Sequence, residues 1–144
     1  MAKNPKNGAS TKVFGGTAVQ PGTYFIKSAI ITDEVLKIPG QADAPYDCLQ
    51  VVLMHDNNGA VGAECDATLV LNGCWRPRRG SDDQKYQASG SFFTQLIAAC
   101  QGKSFDQTRD FINATYPNRR ISINYTEYPS QSGGFGKVPV VEFI

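Results

Sequence analysis

The sequence is poor in the residues that catalytic and metal sites need. It has a single histidine, His55, and its four cysteines, Cys48, Cys65, Cys74 and Cys100, include no C-x-x-C pair. Zinc sites are built from closely spaced cysteine and histidine ligands, so a zinc site is not expected. A P-loop, an H-E-x-x-H helix and an EF-hand loop are also missing. We therefore predict a protein that is not an enzyme and that uses no metal or cofactor.

Long apolar runs are also missing. No stretch approaches the length of a membrane span, and no apolar segment of the signal-peptide type follows the first residues. We therefore expect a cytoplasmic protein with no membrane contact, whose thiols are reduced and mostly buried. The 144 residues, 41% apolar and 19% charged, suit one globular domain and are wrong for a disordered chain.

The sequence has little excess of charge of one sign, because its net charge is only +1. The cations, however, are unevenly distributed along the chain. Lys3, Lys6 and Lys12 fall in a polar opening stretch that contains no acid. We interpret residues 1–18 as a flexible basic arm and residues 19–144 as the folded domain. A near-neutral protein with clustered cations can still present a basic face to phosphate. The alternative is that these charges are only solvated.

The rest of the chain reads as β-strands with a helical insert. Segments rich in β-branched and aromatic residues predict strands at 23–32, 46–55, 62–71, 121–126 and 138–144. Asn58-Gly59 predicts a tight antiparallel hairpin between the second and third strands. Helices are predicted at 89–101, capped by Ser89 or Ser91, and at 105–115, where Ser104 and Gln107 have capping-box spacing.

The chain closes with a second hairpin. Ile121, Ile123 and Tyr125 alternate with polar residues, which is typical of a half-buried strand. A Gly/Ser/Pro-rich loop at 129–137 separates that strand from the last one. Tyr125 and Phe143 are expected to belong to the core.

The predicted order is β-β-β-α-β-β, with the helices between the third and fourth strands. This is the order of the OB-fold, a partly open five-stranded barrel, and closing the sheet would cover its apolar face and most strand edges. A small β-sandwich with a helical insertion is the alternative.

Aromatic residues next to cations are the best binding signal. Trp75 leaves the third strand directly into Arg76, Arg78 and Arg79, and rings beside guanidinium groups suit nucleobase stacking and phosphate contact. Trp75 could instead plug the core, and Phe135 could simply pin its loop. The predicted nucleic-acid-binding residues are Trp75, Arg76, Arg78, Arg79, Lys85, Tyr86, Arg119, Arg120, Tyr128, Phe135 and Lys137.

Three stretches resemble the small OB-fold single-stranded DNA-binding proteins of bacteriophages. These are residues 19–24 (VQPGTY), the exit of the third strand into Trp75, and the closing segment INYTEYPSQSGGFGKVPVVEFI. The resemblance implies a protein of the host cytoplasm that coats and protects unwound DNA during replication or recombination. It places Trp75, Arg76, Tyr128, Phe135 and Lys137 near the strand path. Many such proteins also carry an acidic C-terminal tail that recruits partners, which this sequence does not show.

The leading hypothesis is a protein that binds single-stranded DNA largely without sequence specificity, with RNA as an open alternative. Cations would supply the salt-sensitive part of the affinity and aromatic rings the stacking part. Replication proteins and further copies of the chain are open as partners. The main alternative is a small β-rich structural or assembly protein, such as a virion component. A nuclease or other hydrolase is the weakest hypothesis.

Overall fold

A computed structural model describes residues 19–36, 44–71, 88–129 and 135–144, which form five strands and two helices. The elements are β1 (Gly22–Leu36), β2 (Ala44–Asn57), β3 (Ala60–Val70), α1 (Ser91–Cys100), α2 (Phe105–Thr115), β4 (Arg120–Pro129) and β5 (Phe135–Phe143). The strands form one antiparallel sheet in the order β3-β2-β1-β4-β5. The predicted mainly β class, with helices between the third and fourth strands, is confirmed. Neither helix is long and apolar enough to cross a membrane.

The first three strands form a meander whose pairing extends along most of their length, with one register shift between β1 and β2 and two between β2 and β3. β1 pairs with β2 from Tyr24 opposite His55 to Leu36 opposite Ala44, so both strands run beyond their predicted ends. The β2–β3 turn is confirmed at Asn58-Gly59, where both residues have positive φ, 54° and 91°. These are the left-handed conformations that an Asn-Gly hairpin turn requires.

β4 joins this meander through a short seam. Only four residue pairs connect β1 with β4, from Gly22 opposite Ile123 to Phe25 opposite Arg120. Beyond the seam β1 pairs with β2 alone and β4 pairs with β5 alone. Because β1 and β4 are antiparallel, the two hairpins extend from the seam in opposite directions.

The backbone of β1 finds other partners where β4 ends. The amide of Ile26 donates to the Arg119 carbonyl at 2.9 Å, and the Ile26 carbonyl accepts from Asn118 at 2.7 Å. Further along, the Asn113 side chain of α2 accepts from the Ala29 amide at 2.7 Å and donates to the Ala29 carbonyl at 3.1 Å. One side-chain amide thus replaces a strand neighbour for this residue of β1.

Both helices cover one side of the sheet, which we call the inner face. The core cluster joins alternate sheet residues to the apolar faces of α1 and α2, and its largest fully buried members include Phe92, Phe93, Leu96, Ile112 and Tyr116. The rings of Phe92, Tyr116 and Phe143 lie within 5.7 Å of one another, centroid to centroid. Tyr125 and Phe143 pack against this cluster, as predicted.

α1 begins differently from the prediction. Its N-cap is Gly90, with no side-chain cap, so the predicted capping by Ser89 or Ser91 is wrong. Both serines instead form hydrogen bonds with the edge of β5 that faces away from β4. The Ser89 backbone forms a parallel bridge with Val140, and the Ser91 hydroxyl accepts from the Phe143 amide at 2.7 Å. The unpaired groups of the edge strand therefore determine how the helix starts.

Gly90 is required where α1 meets β5. Its φ is +102°, and a Cβ added there would lie 2.1 Å from the Val141 carbonyl oxygen. The Ser91 amide donates to the Glu142 carboxylate at 2.9 Å, so a strand residue satisfies the helix N-terminus.

α2 agrees with its sequence pattern at both ends. It spans Phe105–Thr115 as predicted, and the capping box between Ser104 and Gln107 is confirmed by both of its hydrogen bonds. After Tyr116 the chain turns through Asn118, at φ 66°, directly into β4.

Candidate nucleic-acid interface

The predicted binding residues fall into three groups. Six of them lie outside the described residues: Trp75, Arg76, Arg78, Arg79, Lys85 and Tyr86. The backbones of Tyr128, Phe135 and Lys137 are described, but not their side chains. Only Arg119 and Arg120 are described with their side chains, so only their geometry bears directly on the predicted site.

Arg120 forms an ion pair within the fold. Its Nε donates to Asp56 Oδ2 at 2.6 Å, and the Asp56 side chain is only 1% exposed. Burial alone would raise the pKa of Asp56. Hydrogen bonds from the Gly59 amide, the Arg120 guanidinium and the Thr23 hydroxyl, together with the Arg120 charge, lower that pKa instead. The aspartate therefore stays ionised and ties β1, β2 and β4 together.

Arg119 covers an aromatic ring. Its guanidinium carbon lies 4.2 Å from the centroid of Phe143, which belongs to the inner-face cluster. This is a cation–π contact that closes the edge of the core while the cation remains in water. Arg119 is thus explained by the packing of the fold.

The two arginines do not line a common groove. Arg119 lies over Phe143 on the inner face, whereas Arg120 is opposite Phe25 and contacts Asp56 on the other, outer face. Neighbouring residues of an extended chain project to opposite sides, so adjacency in sequence separates their side chains.

The closing hairpin is longer than predicted, and its loop is shorter. β4 continues to Pro129 and β5 begins at Phe135, with Tyr128 opposite Gly136 and Glu127 opposite Lys137. The prediction that Phe135 and Lys137 lie in the loop is therefore wrong for their backbones. Ladder hydrogen bonds between the two strands outweigh the low β-propensity of this glycine-containing stretch. Tyr128, Phe135 and Lys137 are consequently fixed in register near the end of the hairpin.

The predicted binding segments leave the sheet at different ends. β3 ends at Val70, opposite Gln50 and thus level with Ile30 of β1. The β4–β5 pairing ends with Pro129 opposite Phe135, on the far side of the four-pair seam. The exit toward Trp75 and the end of the closing hairpin therefore lie toward opposite ends of the strands.

The outer face of β1–β3 carries a buried polar ladder. The Gln50 amide donates to the Thr32 hydroxyl at 2.5 Å and accepts from the Thr68 hydroxyl at 2.6 Å. Among the described side chains no phenylalanine or tyrosine ring is exposed, so the described part of this face offers no large ring for stacking. Stacking on this face would need rings from elsewhere in the chain.

Most described cations already have partners. Lys27 pairs with Glu64 at 2.5 Å, and Arg109 pairs with Asp106 and Asp110 at 3.3 and 3.1 Å. With Arg119 and Arg120 also engaged, a phosphate-binding field depends on the exposed Lys103 and on the basic residues outside the described side chains. The latter are Lys3, Lys6, Lys12, Lys37, Arg76, Arg78, Arg79, Lys85 and Lys137.

Reactive groups are scarce in the described part of the chain. Cys48, Cys65 and Cys100 are buried, as predicted, and burial raises the pKa of Cys65 and Cys100. Within the described ranges no group of three or more histidine, cysteine, aspartate or glutamate residues could hold a metal ion. His55 is exposed, with its ring 6.1 Å from that of Tyr24.

Two features escaped the sequence analysis because they join distant residues. Asp56 accepts from the Gly59 amide at 2.6 Å within the turn, but its other partner, Arg120, is 64 positions away. Asn113 and Ala29 are 84 positions apart. No local pattern indicates either contact. Comparison of the chain with protein-family models, with curated proteins and with solved structures gave no match.

Proposed function

We propose that this protein is an OB-type barrel that binds single-stranded DNA largely without sequence specificity. The observation that carries the proposal is the topology: a β3-β2-β1-β4-β5 sheet with two helices between β3 and β4. The OB-fold is a five-stranded, partly open barrel whose β2–β3 face and connecting loops bind oligonucleotides. The proposed role, as the family resemblance implies, is to coat and protect unwound DNA during replication or recombination.

The directions of the edge strands support a barrel. β3 is antiparallel to β2 and β2 to β1, and the same holds from β1 through β4 to β5, so β3 and β5 run parallel. A contact that closed the sheet would therefore be parallel. Ser89, which follows β3 in the chain, forms a parallel bridge with Val140 of β5. The segment after β3 thus supplies the kind of contact that a closing barrel needs.

The distribution of binding residues supports a path across the sheet. β3, which precedes Trp75 in the sequence, ends at one end of the strands, and the closing hairpin ends at the other. In the proposal, Trp75, Tyr86, Tyr128 and Phe135 stack on bases. The cations Arg76, Arg78, Arg79, Lys85 and Lys137 meet phosphates. Arg119 and Arg120 are given structural roles, because Phe143 and Asp56 already engage them.

The edge of β3 argues against one form of the rival assembly hypothesis, in which copies of the chain would pair strand edge to strand edge. The pairing of β2 with β3 is interrupted by two register shifts, and Glu64 and Asp66 are exposed on β3. Bulges and charges on an edge strand oppose pairing with another chain. A virion or other assembly role remains the outcome favoured if light scattering reveals a large particle that forms without nucleic acid.

Fluorescence polarisation with a labelled oligo-dT tests the proposal. We expect binding at low salt, weakening as salt rises, and weaker binding to a duplex of the same length. Trp75→Ala and Phe135→Ala should each weaken binding by about 1–3 kcal/mol at constant salt. Trp75→Phe is the matched control, because it keeps a ring that can stack. No binding to oligo-dT at low salt, or equal binding to duplex, would reject the proposal.

A further inference from the structure

A bulge in β1 carries Lys27, whose side chain lies on the outer face. The pairing of β1 with β2 shifts register between Ile26 and Ser28, so Lys27 is the extra residue of that bulge. Its Nζ donates to Glu64 Oε2 of β3 at 2.5 Å, which means that the contact crosses over β2, the strand between β1 and β3. Cys65, the next residue of β3, belongs to the inner core cluster, so Glu64 projects to the outer face.

The two described cations of the outer face, Lys27 and Arg120, have partners that differ in burial. Asp56, which pairs with Arg120, is only 1% exposed and also accepts from the Gly59 amide. Glu64, which pairs with Lys27, is 52% exposed, and the Lys27 side chain itself is 51% exposed. Arg120 is therefore held by a buried carboxylate, whereas water reaches both charges of the Lys27–Glu64 pair.

The exposure of the Lys27–Glu64 pair makes it exchangeable. An exposed ion pair changes a folding equilibrium by a factor of no more than about five, and salt weakens it further. A phosphate of a bound strand offers the ammonium group an equivalent anionic partner, and counterions leave the nucleic acid as that contact forms. Lys27 can thus change partner without rearranging the fold. Freeing Arg120 would instead leave the Asp56 carboxylate buried and unpaired.

We infer that Lys27 contacts a phosphate of a single strand that crosses the outer face, and that Glu64 competes with this phosphate for the ammonium group. The inference rests on the proposed function and deepens it by assigning one phosphate contact and its competitor. Glu64 lowers the affinity for the strand, because it occupies the cation that would bind it. An ammonium group is a point charge that does not read bases, so the exchange adds no sequence preference.

Four variants of the full-length protein test the inference. They are Lys27→Gln, Glu64→Gln, the double variant of these two, and Asp66→Asn as the matched control. Asp66 is an exposed acid of β3 two positions from Glu64, and its substitution removes the same charge. Binding to labelled oligo-dT is measured by fluorescence polarisation over a series of salt concentrations, with thermal unfolding as the check on folding.

We expect Glu64→Gln to tighten binding about two- to fivefold at low salt, which is the range that release of an exposed ion pair supplies, and to exceed the effect of Asp66→Asn. Lys27→Gln should reduce the slope of log K against log salt by about 0.7 in magnitude, the loss for one phosphate contact on a single strand. In the double variant the change at Glu64 should bring no gain, because the cation that it would free is absent.

Equal effects of Glu64→Gln and Asp66→Asn would overturn the inference, because they would indicate a general effect of negative charge near the strand. A gain from Glu64→Gln that persists without Lys27 would overturn it too, and so would an unchanged slope for Lys27→Gln. In each of these cases the unaltered protein still binds oligo-dT, so the proposed function stands. Failure of the unaltered protein to bind is a distinct result, which rejects the proposed function and this inference with it.

Discussion

The two halves of the sheet are held together in different ways. The β1–β2–β3 half is a meander in which backbone pairing runs nearly the full length of the strands. The β4–β5 half joins it through four residue pairs and relies on individual contacts elsewhere: Asn113 with Ala29, Arg120 with Asp56, and the Ser89–Ser91 segment with β5. One half is stabilised by a repeated ladder, so no single residue decides it. The β4–β5 hairpin has its own uninterrupted ladder, but its attachment to the meander depends on a few specific residues, so this attachment should be the easier part to break.

The largest effect is expected from Gly90→Ala. The added Cβ would clash with the Val141 carbonyl at a φ that side chains rarely adopt, so we expect a loss of about 3–5 kcal/mol in the free energy of unfolding. Urea denaturation measures it. Gly102→Ala is the control, since Gly102 also has positive φ (+81°) but nothing within 4 Å of the added Cβ, and it should lose only about 1–2 kcal/mol. Equal losses would show that the contact with β5 is unimportant.

Asn113→Ala should come next. It removes both partners of the Ala29 backbone, and we expect a loss of about 1–3 kcal/mol in the free energy of unfolding. Hydrogen exchange of the Ala29 amide should accelerate in parallel. Asn124→Ala, at an exposed position of β4, is the control and should be nearly neutral. A neutral Asn113→Ala would mean that water replaces the side chain at no penalty.

The Asp56–Arg120 pair should make the seam sensitive to acid. The folded-state pKa of Asp56 is lowered, so its stabilisation is complete above the unfolded pKa, about 3.9, and is lost as pH falls through the folded value. Asp56→Asn should therefore lower the unfolding midpoint at pH 7, and the difference from the unaltered protein should narrow toward pH 3.

Asp66→Asn, which changes an exposed acid of β3, is the comparison for that experiment. The contrary result would be unfolding midpoints of Asp56→Asn and of the unaltered protein that differ by the same amount from pH 7 to pH 3. That result would show that the charge of Asp56 does not stabilise the seam.

The smallest effect is expected between Arg119 and Phe143. A double-mutant cycle with Arg119→Ala and Phe143→Leu should give a coupling energy of about 0.5–1 kcal/mol, the range for an exposed cation–π contact. Additive losses would mean that the two side chains are adjacent without stabilising each other. Oligo-dT affinity should be the same for Arg119→Ala as for the unaltered protein, because Arg119 serves the packing of the core.

Local patterns predicted the elements but not the contacts between them. The Asn58-Gly59 turn and the Ser104–Gln107 capping box followed from residues at most three positions apart. The predicted N-cap of α1 was wrong because the Ser91 hydroxyl accepts a hydrogen bond from the Phe143 amide, which is 52 positions away. No helix pattern predicts that partner. Clustering of cations in sequence likewise did not indicate that Arg119 and Arg120 would be separated by the sheet.

The extent of the closing hairpin was missed for a related reason. Glycine and serine predict a loop by their own preferences, but pairing with a neighbouring strand extends β5 back to Phe135. The predicted binding residues Trp75, Arg76, Arg78, Arg79, Lys85 and Tyr86 lie outside the described residues, so for them the sequence remains the basis of the prediction.

The hydrogen bonds of Gln50 affect which insertions and deletions the sheet can tolerate. Sliding β1 or β3 by one position against β2 would strip the glutamine of a hydroxyl partner and turn apolar side chains toward water. The hydrogen bonds of Gln50 with Thr32 and Thr68 thus favour one alignment of the three strands. Residues can therefore be inserted or deleted between Leu36 and Ala44 without shifting which side chains meet across the meander.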